Sequence, residues 1–412
     1  MNQTMQIEVL KELIHNLDHH TTVDAGRILM NPTSSYTSAE LAQQEWETFF
    51  AQHPQVIGLS GDLAKPGSYL TCTDFGVPVL ATRDDSGRFR AFVNACRHRG
   101  AQVTTEARGD RQRFTCPFHG WTYGNDGRLI GVREAGHFGT IDKTCHNLVE
   151  LPAQEKYGLL VVHPQVNGTL DVDALLGPLA AELATWDLGA CERLGESVLD
   201  MPINWKIAND TFGEVYHFQS LHRNTLANLF HGDAATYREF GRHHRICLAG
   251  KYLDTMRTLP ESTWSLTDAG VVAYYLFPNV QIVMFNRVIA FARIYMDPHN
   301  VRRSVTHVTH YGASHIGTHE APRPAQQLSG ENLYAADTST RVEFNLATQL
   351  ELFVSTVEDE DYAMGIKTQQ AADSGKLDYF LFGRNEPALH HFHNNYRSAL
   401  GMRPLEAYRG AA

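Results

Sequence analysis

The chain has 412 residues, 43% hydrophobic and 20% charged, with 32 Gly and 16 Pro. At roughly 150 residues per domain this allows two or three domains and a sizeable core, and it excludes collagen-like, low-complexity and wholly disordered classes. Lys and Arg number 35 against 46 Asp and Glu, a net charge of −11, which is the wrong sign for a protein that neutralises a phosphate backbone, so nucleic acid is excluded as a partner.

No stretch approaches 18 uninterrupted apolar residues, so a membrane span is not expected. The opening MNQTMQIEVLKELIHNLDHH has acids inside its apolar stretch and no small-residue cleavage site, unlike a secretory signal. The six cysteines are too few for a disulfide scaffold. The expectation is a cytoplasmic protein whose thiols are reduced or bind metal. Twenty-two histidines strengthen the hint of metal.

In chain order, residues 1–47 read as an N-terminal helical segment that packs with the C-terminal domain. It holds one amphipathic helix and a second helix start at Thr37-Ser38-Ala39-Glu40, a capping-box pattern. Residues 48–165 read as a small all-β domain. Val77–Thr82 and Phe89–Asn94 flank Asp84-Asp85-Ser86-Gly87, and Trp121–Tyr123 and Leu129–Val132 flank Asn125-Asp126-Gly127, two hairpin patterns. Leu159–Val162 is a buried-type strand. Residues 166–412 read as a larger α+β domain: helices at 172–188 and about 205–222, strands at Val271–Leu276, Val280–Phe285 and Ala290–Met296, a loop from Ala313 to Ala336 and a long helix from about Arg341 to Ala372. The fold class is multi-domain α+β, a small all-β domain followed by a larger one with an antiparallel sheet.

In the β domain, Cys96-Arg97-His98 and Cys116-Pro117-Phe118-His119 form C-x-H, 17 residues, C-x-x-H. Each half offers a thiolate and an imidazole on a loop, each followed by a glycine, Gly100 or Gly120. Such a set suits either tetrahedral zinc or a [2Fe–2S] cluster with two Cys on one iron and two His on the other. The full strings, Asn94-Ala-Cys-Arg-His-Arg-Gly100 and Cys116-Pro-Phe-His-Gly-Trp-Thr-Tyr123, resemble the Rieske cluster loops of the aromatic-ring-hydroxylating oxygenase α-subunit family. That resemblance implies a Rieske [2Fe–2S] cluster held by Cys96 and Cys116 on one iron and His98 and His119 on the other. Cys72, Cys145, Cys191 and Cys247 match no ligand position and read as structural.

The segment from Asn204 to His222 contains Asp210, Glu214, His217 and His222. If it is helical, Asp210, Glu214 and His217 share one face. His217 and His222 are five apart, so both reach one ion only if the helix ends or bulges between them. The string is similar to the iron-binding segment of the same family, which implies that His217 and His222 bind a mononuclear Fe(II). It also implies that Glu214 is the carboxylate bridging the iron centres of neighbouring subunits. Most members carry Asp there, and Asn209-Asp210 departs from the common Glu-Asn, so Asp210 stays a rival for the bridge.

A mononuclear Fe(II) that activates O2 needs a third, carboxylate ligand. Glu358-Asp359-Glu360-Asp361 offers four acids, and such a run usually marks a solvated face. Val342, Leu346, Leu350, Phe353, Val354, Val357 and Met364 form an apolar stripe at helical spacing. Asp361 falls on that stripe and Asp359 on the opposite side, and a buried carboxylate needs a metal or a cation. The family pattern, with a Gln eight residues on at Gln369, also selects Asp361. His243-His244 and His390-His391-Phe392-His393 read as surface or packing residues. Seven arginines between Arg97 and Arg133 face three acids, either scattered loop residues or a docking patch for an acidic electron donor.

The resemblance implies an oxygenase α subunit that takes electrons, ultimately from NAD(P)H, through a ferredoxin or flavin reductase to the cluster, then to Fe(II), which activates O2 to mono- or dioxygenate a small organic, aromatic substrate. Glu214 resembles the quaternary-amine branch, so an N-demethylating or hydroxylating monooxygenase of a betaine-like substrate is the alternative. Phe212, Phe218 and strand residues between 271 and 296 are the expected pocket. A homotrimer is implied, with or without a β subunit. A Rieske electron carrier and a zinc-stabilised binding module are the competing classes. One expectation tests the cluster directly. His119→Cys keeps an iron–sulfur centre but lowers its reduction potential, because thiolate puts more negative charge on the iron than imidazole. Redox titration of the visible spectrum reads this, and an unchanged potential removes His119 from the ligand set.

Overall fold

The structure, a computed structural model, describes residues 1–317 and 346–410. The chain divides into two compact units: Met1–Gln44, Ala181–Trp186 and Leu194–Ala412 form the larger, Glu45–Ala180 and Asp187–Arg193 the smaller. The chain first leaves the smaller unit 15 residues beyond the boundary at 165 that the sequence suggests, after Ala180.

The smaller unit is built from short antiparallel strands. Its five-stranded sheet runs Glu150–Leu151, Phe89–Val93, Val79–Arg83, Ser68–Cys72, Arg108–Asp110. The turn at Asp84 is held by its own side chain, whose Oδ1 accepts from Ser86 N at 2.9 Å and Arg88 N at 3.0 Å. That Asx geometry fixes the register Val79↔Val93 through Arg83↔Phe89. A separate three-stranded sheet, Arg113–Thr115, Thr122–Gly124, Leu129–Gly131, carries the second Cys–His loop. The expected helix at 172–188 is instead two short ones, Val172–Leu176 and Leu179–Leu183. Gly177-Pro178 breaks it, because Pro removes a helical donor and its ring clashes with the preceding turn.

The larger unit is dominated by a seven-stranded antiparallel sheet. Phe230–Phe240, His243–Gly250, Gly270–Leu276, Val280–Phe285, Val288–Asp297 and Asn300–Gly312 meander in order, and Glu192–Met201 pairs beside the last. Four of these strands escape the sequence reading, which marks 271–276, 280–285 and 290–296. A smaller sheet sets Leu29–Pro32 between Tyr379–Phe382 and Glu406–Ala407. The amphipathic N-terminal helix spans Gln3–His19, and Ser38 Oγ accepts from Leu41 N at 3.1 Å before the helix Ala39–Glu45. Cys72, Cys191 and Cys247 are buried, whereas Cys145 is exposed and plays no packing role.

The helix expected over 205–222 ends at Asp210. Thr211-Phe212-Gly213 turns the chain, and a Cβ on Gly213 would lie 2.4 Å from Leu389, so that close approach requires glycine. The long helix is described from Leu346, and Arg341 and Val342 fall outside the described residues. It runs Leu346–Ser355, widens to a π-type turn at Thr356–Tyr362 and resumes over Ala363–Asp373. An extra residue in that turn rotates everything after it, and Met364, expected on the apolar stripe, is 47% exposed. Of the predicted loop, all beyond Gly317 lies outside the described residues.

The paired histidines are not on the surface. His243, His244, His390, His391 and His393 are all buried. His390 Nε2 donates to Phe382 O at 3.1 Å and His391 Nε2 to Gly241 O at 2.9 Å. Burial and the neighbouring histidines hold the His244 imidazole well below its usual range, so it packs as a neutral ring.

Inside the larger unit, Glu182 and Arg245 form a buried ion pair at 2.5 Å, with side chains 3% and 5% exposed, and Tyr274 OH donates to the same Glu182 oxygen. Glu182→Ala strands the guanidinium and should cost about 3–5 kcal/mol. The exposed Arg303–Asp200 pair at 2.6 Å serves as control, and Asp200→Ala should cost about 1 kcal/mol or less. Urea denaturation of both variants measures the difference.

Candidate metal centres

The two Cys–His loops adopt one backbone motif twice. Cys96 N donates to Ala101 O and Gly100 N to Cys96 O, both at 2.8 Å. Cys116 N donates to Trp121 O at 2.8 Å and Gly120 N to Cys116 O at 3.0 Å. Both glycines sit at positive φ, 78° and 72°, where a side chain would be strained. The matched loops place Cys96 and Cys116 in the core and leave His98 and His119 half-buried, ring centroids 4.5 Å apart. Trp121 stacks on His98 at 5.2 Å. Tyr123 OH accepts from Arg97 N at 2.9 Å and lies 3.3 Å from Cys96 Sγ.

The donors fit a Rieske cluster. His98 Nδ1 is buried without a hydrogen-bond partner, the condition of an imidazole nitrogen reserved for a metal. Burial raises the Cys116 thiol while backbone N–H groups of Phe118 and His119 act against it. Those same donors suit a metal-bound thiolate. Four of the seven arginines in this region meet an acid: Arg108 with Asp62, Arg111 with Glu106, Arg128 with Asp126 and Arg133 with Glu134. Arg97, Arg99 and Arg113 remain exposed, a smaller basic patch than the sequence suggests.

In the larger unit, ending the helix at Asp210 lets the next turns fold back. Leu221 N donates to His217 O at 2.7 Å and His222 N to Phe218 O at 3.2 Å. One helical turn therefore separates the two histidines, and their Nε2 atoms stand 3.0 Å apart. Asp361 Oδ1 lies 3.4 Å from His217 Nε2 and 3.2 Å from His222 Nε2. All three ligand atoms fall within 4.8 Å of one another, the two-His, one-carboxylate set that leaves coordination positions open.

The π-type turn brings two consecutive acids to this group. Asp361 faces both Nε2 atoms, and Glu360 accepts from His222 Nδ1 at 2.6 Å and from Thr225 Oγ1 at 3.0 Å. Glu360 was hidden in a run that reads as solvated. On the other side Glu214 Oε1 accepts from His217 Nδ1, and its second oxygen accepts from His217 N at 3.1 Å. Each histidine thus has a carboxylate fixing its outer nitrogen and directing Nε2 inward. Asp359 is exposed.

Asp210 is occupied elsewhere. It accepts from Tyr36 OH at 2.6 Å and from His393 Nε2 at 2.9 Å, a carboxylate partner for His393 that the sequence did not reveal. Gln369 Oε1 accepts from Asn204 N at 2.9 Å, tying the long helix to the cap of the helix Trp205–Asp210.

The electrostatics ask for positive charge. Burial alone would depress His217, but Asp361 and Glu214 outweigh it and push the imidazole up to about 10. Burial would raise Asp361, yet the two imidazoles hold it below its ordinary value. A divalent cation satisfies the same field with both imidazoles neutral.

The three groups also line a cavity of about 150 Å³. Phe212 and Phe218 line it, as do Val271, Ala273, Val283 and Phe285 of the expected strands. Phe230, Phe353, His310 and Thr356 were not anticipated. Strand alternation over Thr306, Val308 and His310, all buried, was the available signal for His310.

Residues 188–402 match a family model for the ring hydroxylating alpha subunit (catalytic domain), and residues 53–146 match one for the Rieske [2Fe-2S] domain. The chain is 31% identical over 194 residues to the carnitine monooxygenase oxygenase subunit of Acinetobacter baumannii, 46% of this chain and 52% of the relative. It is 28% identical over 306 residues to the anthranilate 1,2-dioxygenase large subunit of Acinetobacter baylyi, 73% of this chain and 60% of the relative. The chain thus spans about half the length of the curated relatives it matches. A solved quaternary ammonium Rieske monooxygenase shares the fold at TM-score 0.71 and 19% identity, covering 91% of this chain and 96% of that one. A [2Fe–2S] domain beside an oxygenase catalytic domain sets aside both the zinc module and the pure electron carrier. The catalytic-domain model covers more than half of the sequence, and the chain belongs to the ring-hydroxylating oxygenase α-subunit family, with a Rieske [2Fe–2S] domain and a non-haem iron catalytic domain.

Proposed function

We propose that this chain is the catalytic subunit of an oxygenase that hydroxylates a small aromatic molecule. Cys96, Cys116, His98 and His119 hold the cluster, and His217, His222 and Asp361 hold the mononuclear iron. When bound, the cluster supplies single electrons and the iron supplies O2 activation. The observation that carries the reading is the position of His217, His222 and Asp361 on the wall of an apolar cavity of about 150 Å³, the size of an engineered cavity that admits benzene.

The chain's own residues set up that chemistry. Glu214 and Glu360 hold the outer nitrogens of His217 and His222, so the Nε2 atoms stay free for iron. Phe212, Phe218, Phe230 and Phe285 line the cavity that the triad shares, an apolar surface that disfavours water. A ferredoxin or flavin reductase is the expected donor, for which exposed Arg97, Arg99 and Arg113 offer charge. The solved relative is described as using inter-subunit electron transfer. Carried over, this supports a homotrimer in which Glu214 bridges the centres of two subunits, and relatives called large subunits allow a β subunit as well.

A quaternary-amine substrate is the second reading, favoured by Glu214 and by the carnitine and quaternary ammonium relatives. Against a carboxylate-bearing betaine, no Lys or Arg among the described residues lines the cavity.

Two variants test the assignment. Asp361→Ala should lose the mononuclear iron and substrate-dependent O2 uptake while the cluster spectrum survives. Asp359→Ala should stay within about 0.5 kcal/mol of wild type, as an exposed acid. Metal analysis with a visible spectrum decides, and iron loss from Asp359→Ala alone would move the ligand. Glu214→Gln keeps size but replaces a charged acceptor with an amide. Both centres should remain and the cluster should still reduce, while product formation falls about 10–100-fold. Asp210→Asn, which weakens the contacts to Tyr36 and His393, should cost about 1–3 kcal/mol of stability without uncoupling reduction from turnover. Single-turnover product yield from pre-reduced enzyme separates the two carboxylates.

A further inference from the structure

Two side chains on the wall of the iron-site cavity carry buried polar atoms. His310 Nε2 and Thr356 Oγ1 have no hydrogen-bond partner, and each residue is 3% exposed. Both residues line the same chamber as His217, His222 and Asp361. His310 projects from the strand Asn300–Gly312 opposite Ala290, and its ring meets Phe353 edge-on at 5.9 Å. Burial holds the imidazole down to about 4, so it is neutral at physiological pH.

A buried polar group without a partner is normally eliminated or satisfied, because leaving it bare is costly. Both belong to side chains that line one cavity, and a ligand there that draws each polar atom round would complete them. The charge around them narrows that ligand. The acidic groups of the described lining are Glu214 and Asp361, both engaged with the histidines, and no Lys or Arg accompanies them. The metal apart, a substrate carboxylate would therefore meet two acids and no counter-cation. A quaternary ammonium has no N–H or O–H and would leave His310 and Thr356 unpaired.

We propose that His310 and Thr356 form a polar end to the substrate pocket that selects an uncharged, ring-sized aromatic molecule bearing one hydroxyl or amino group. The proposal rests on the oxygenase reading, which makes this cavity the substrate pocket. The substituent is held at the polar end, the ring packs among the phenylalanines, and a ring carbon faces the triad. Selection follows from the asymmetry of buried hydrogen bonds: a site built to pair a hydroxyl penalises the analogue that lacks it.

Equilibrium binding of phenol, toluene, benzoate and phenyltrimethylammonium to the purified holoenzyme, measured by calorimetry, tests this without turnover. Wild type should bind phenol roughly three- to tenfold tighter than toluene, with the two charged probes weakest. His310→Leu should erase the phenol preference while toluene binding persists, and Thr356→Val should reduce it. Neither variant should melt at a lower temperature than wild type, since each removes an unpaired buried polar group. A purely structural histidine would instead lower the melting temperature and leave the phenol-to-toluene ratio unchanged. Equal affinity for phenol and toluene in wild type, or tightest binding of benzoate or phenyltrimethylammonium, would overturn the proposal. Iron content and phenol-dependent O2 uptake on the same preparation separate the two readings. Probes bound in the predicted order by a protein without iron or O2 uptake would sink the oxygenase assignment and uphold the pocket's selectivity.

Discussion

A carboxylate buried in a protein has to be met by positive charge. Asp361 is such a group, and much of the larger unit is arranged around meeting it. The histidines that face it are themselves steadied from behind by Glu214 and Glu360. Five ionisable groups from two distant stretches of chain therefore share one electrostatic problem, and a divalent cation at their centre solves it. The helix stop at Asp210, the tight turn at Gly213 and the wide turn at Thr356–Tyr362 serve this convergence. A regular helix through either stretch would send one of the groups away.

How much of this can be read in the sequence depends on how local the chemistry is. The Cys–His loops are legible because each ligand pair lies within four residues and its turn is marked by a glycine, Gly100 or Gly120. Helical periodicity places Asp361 on the buried side, since its relation to Val357 lies within the turn. The same periodicity fails three residues later at Met364, where the extra residue of the wide turn has accumulated. Glu360 is invisible for the same reason: in a regular helix a neighbour of a buried acid points elsewhere.

Other features were hidden because they exist only in three dimensions. His393 and Asp210 are 183 residues apart, and neither carries a local sign of the other. His390 and His391 of the last helix look polar in sequence, yet burial holds both imidazoles below their usual range and their Nε2 atoms meet backbone carbonyls. The cavity draws on six strands of the sheet and on the long helix. Its apolar character follows from the composition of those strands, while His310 and Thr356 are single polar residues in otherwise unremarkable runs.

The weaving of the larger unit bears on how the chain comes to be folded. The strand Leu29–Pro32 is flanked by Tyr379–Phe382 and Glu406–Ala407, partners more than 340 residues away in sequence. The smaller unit lies almost wholly in one uninterrupted stretch, Glu45–Ala180. Closing a loop of hundreds of residues carries an entropy cost that local hairpins do not face. During synthesis the Cys–His loops thus have all their neighbours long before the histidine and acid ligands of the other unit do. Topology thus orders the two sites: the Cys–His loops are complete while His217 and His222 still await Asp361 and the strands that close the larger unit.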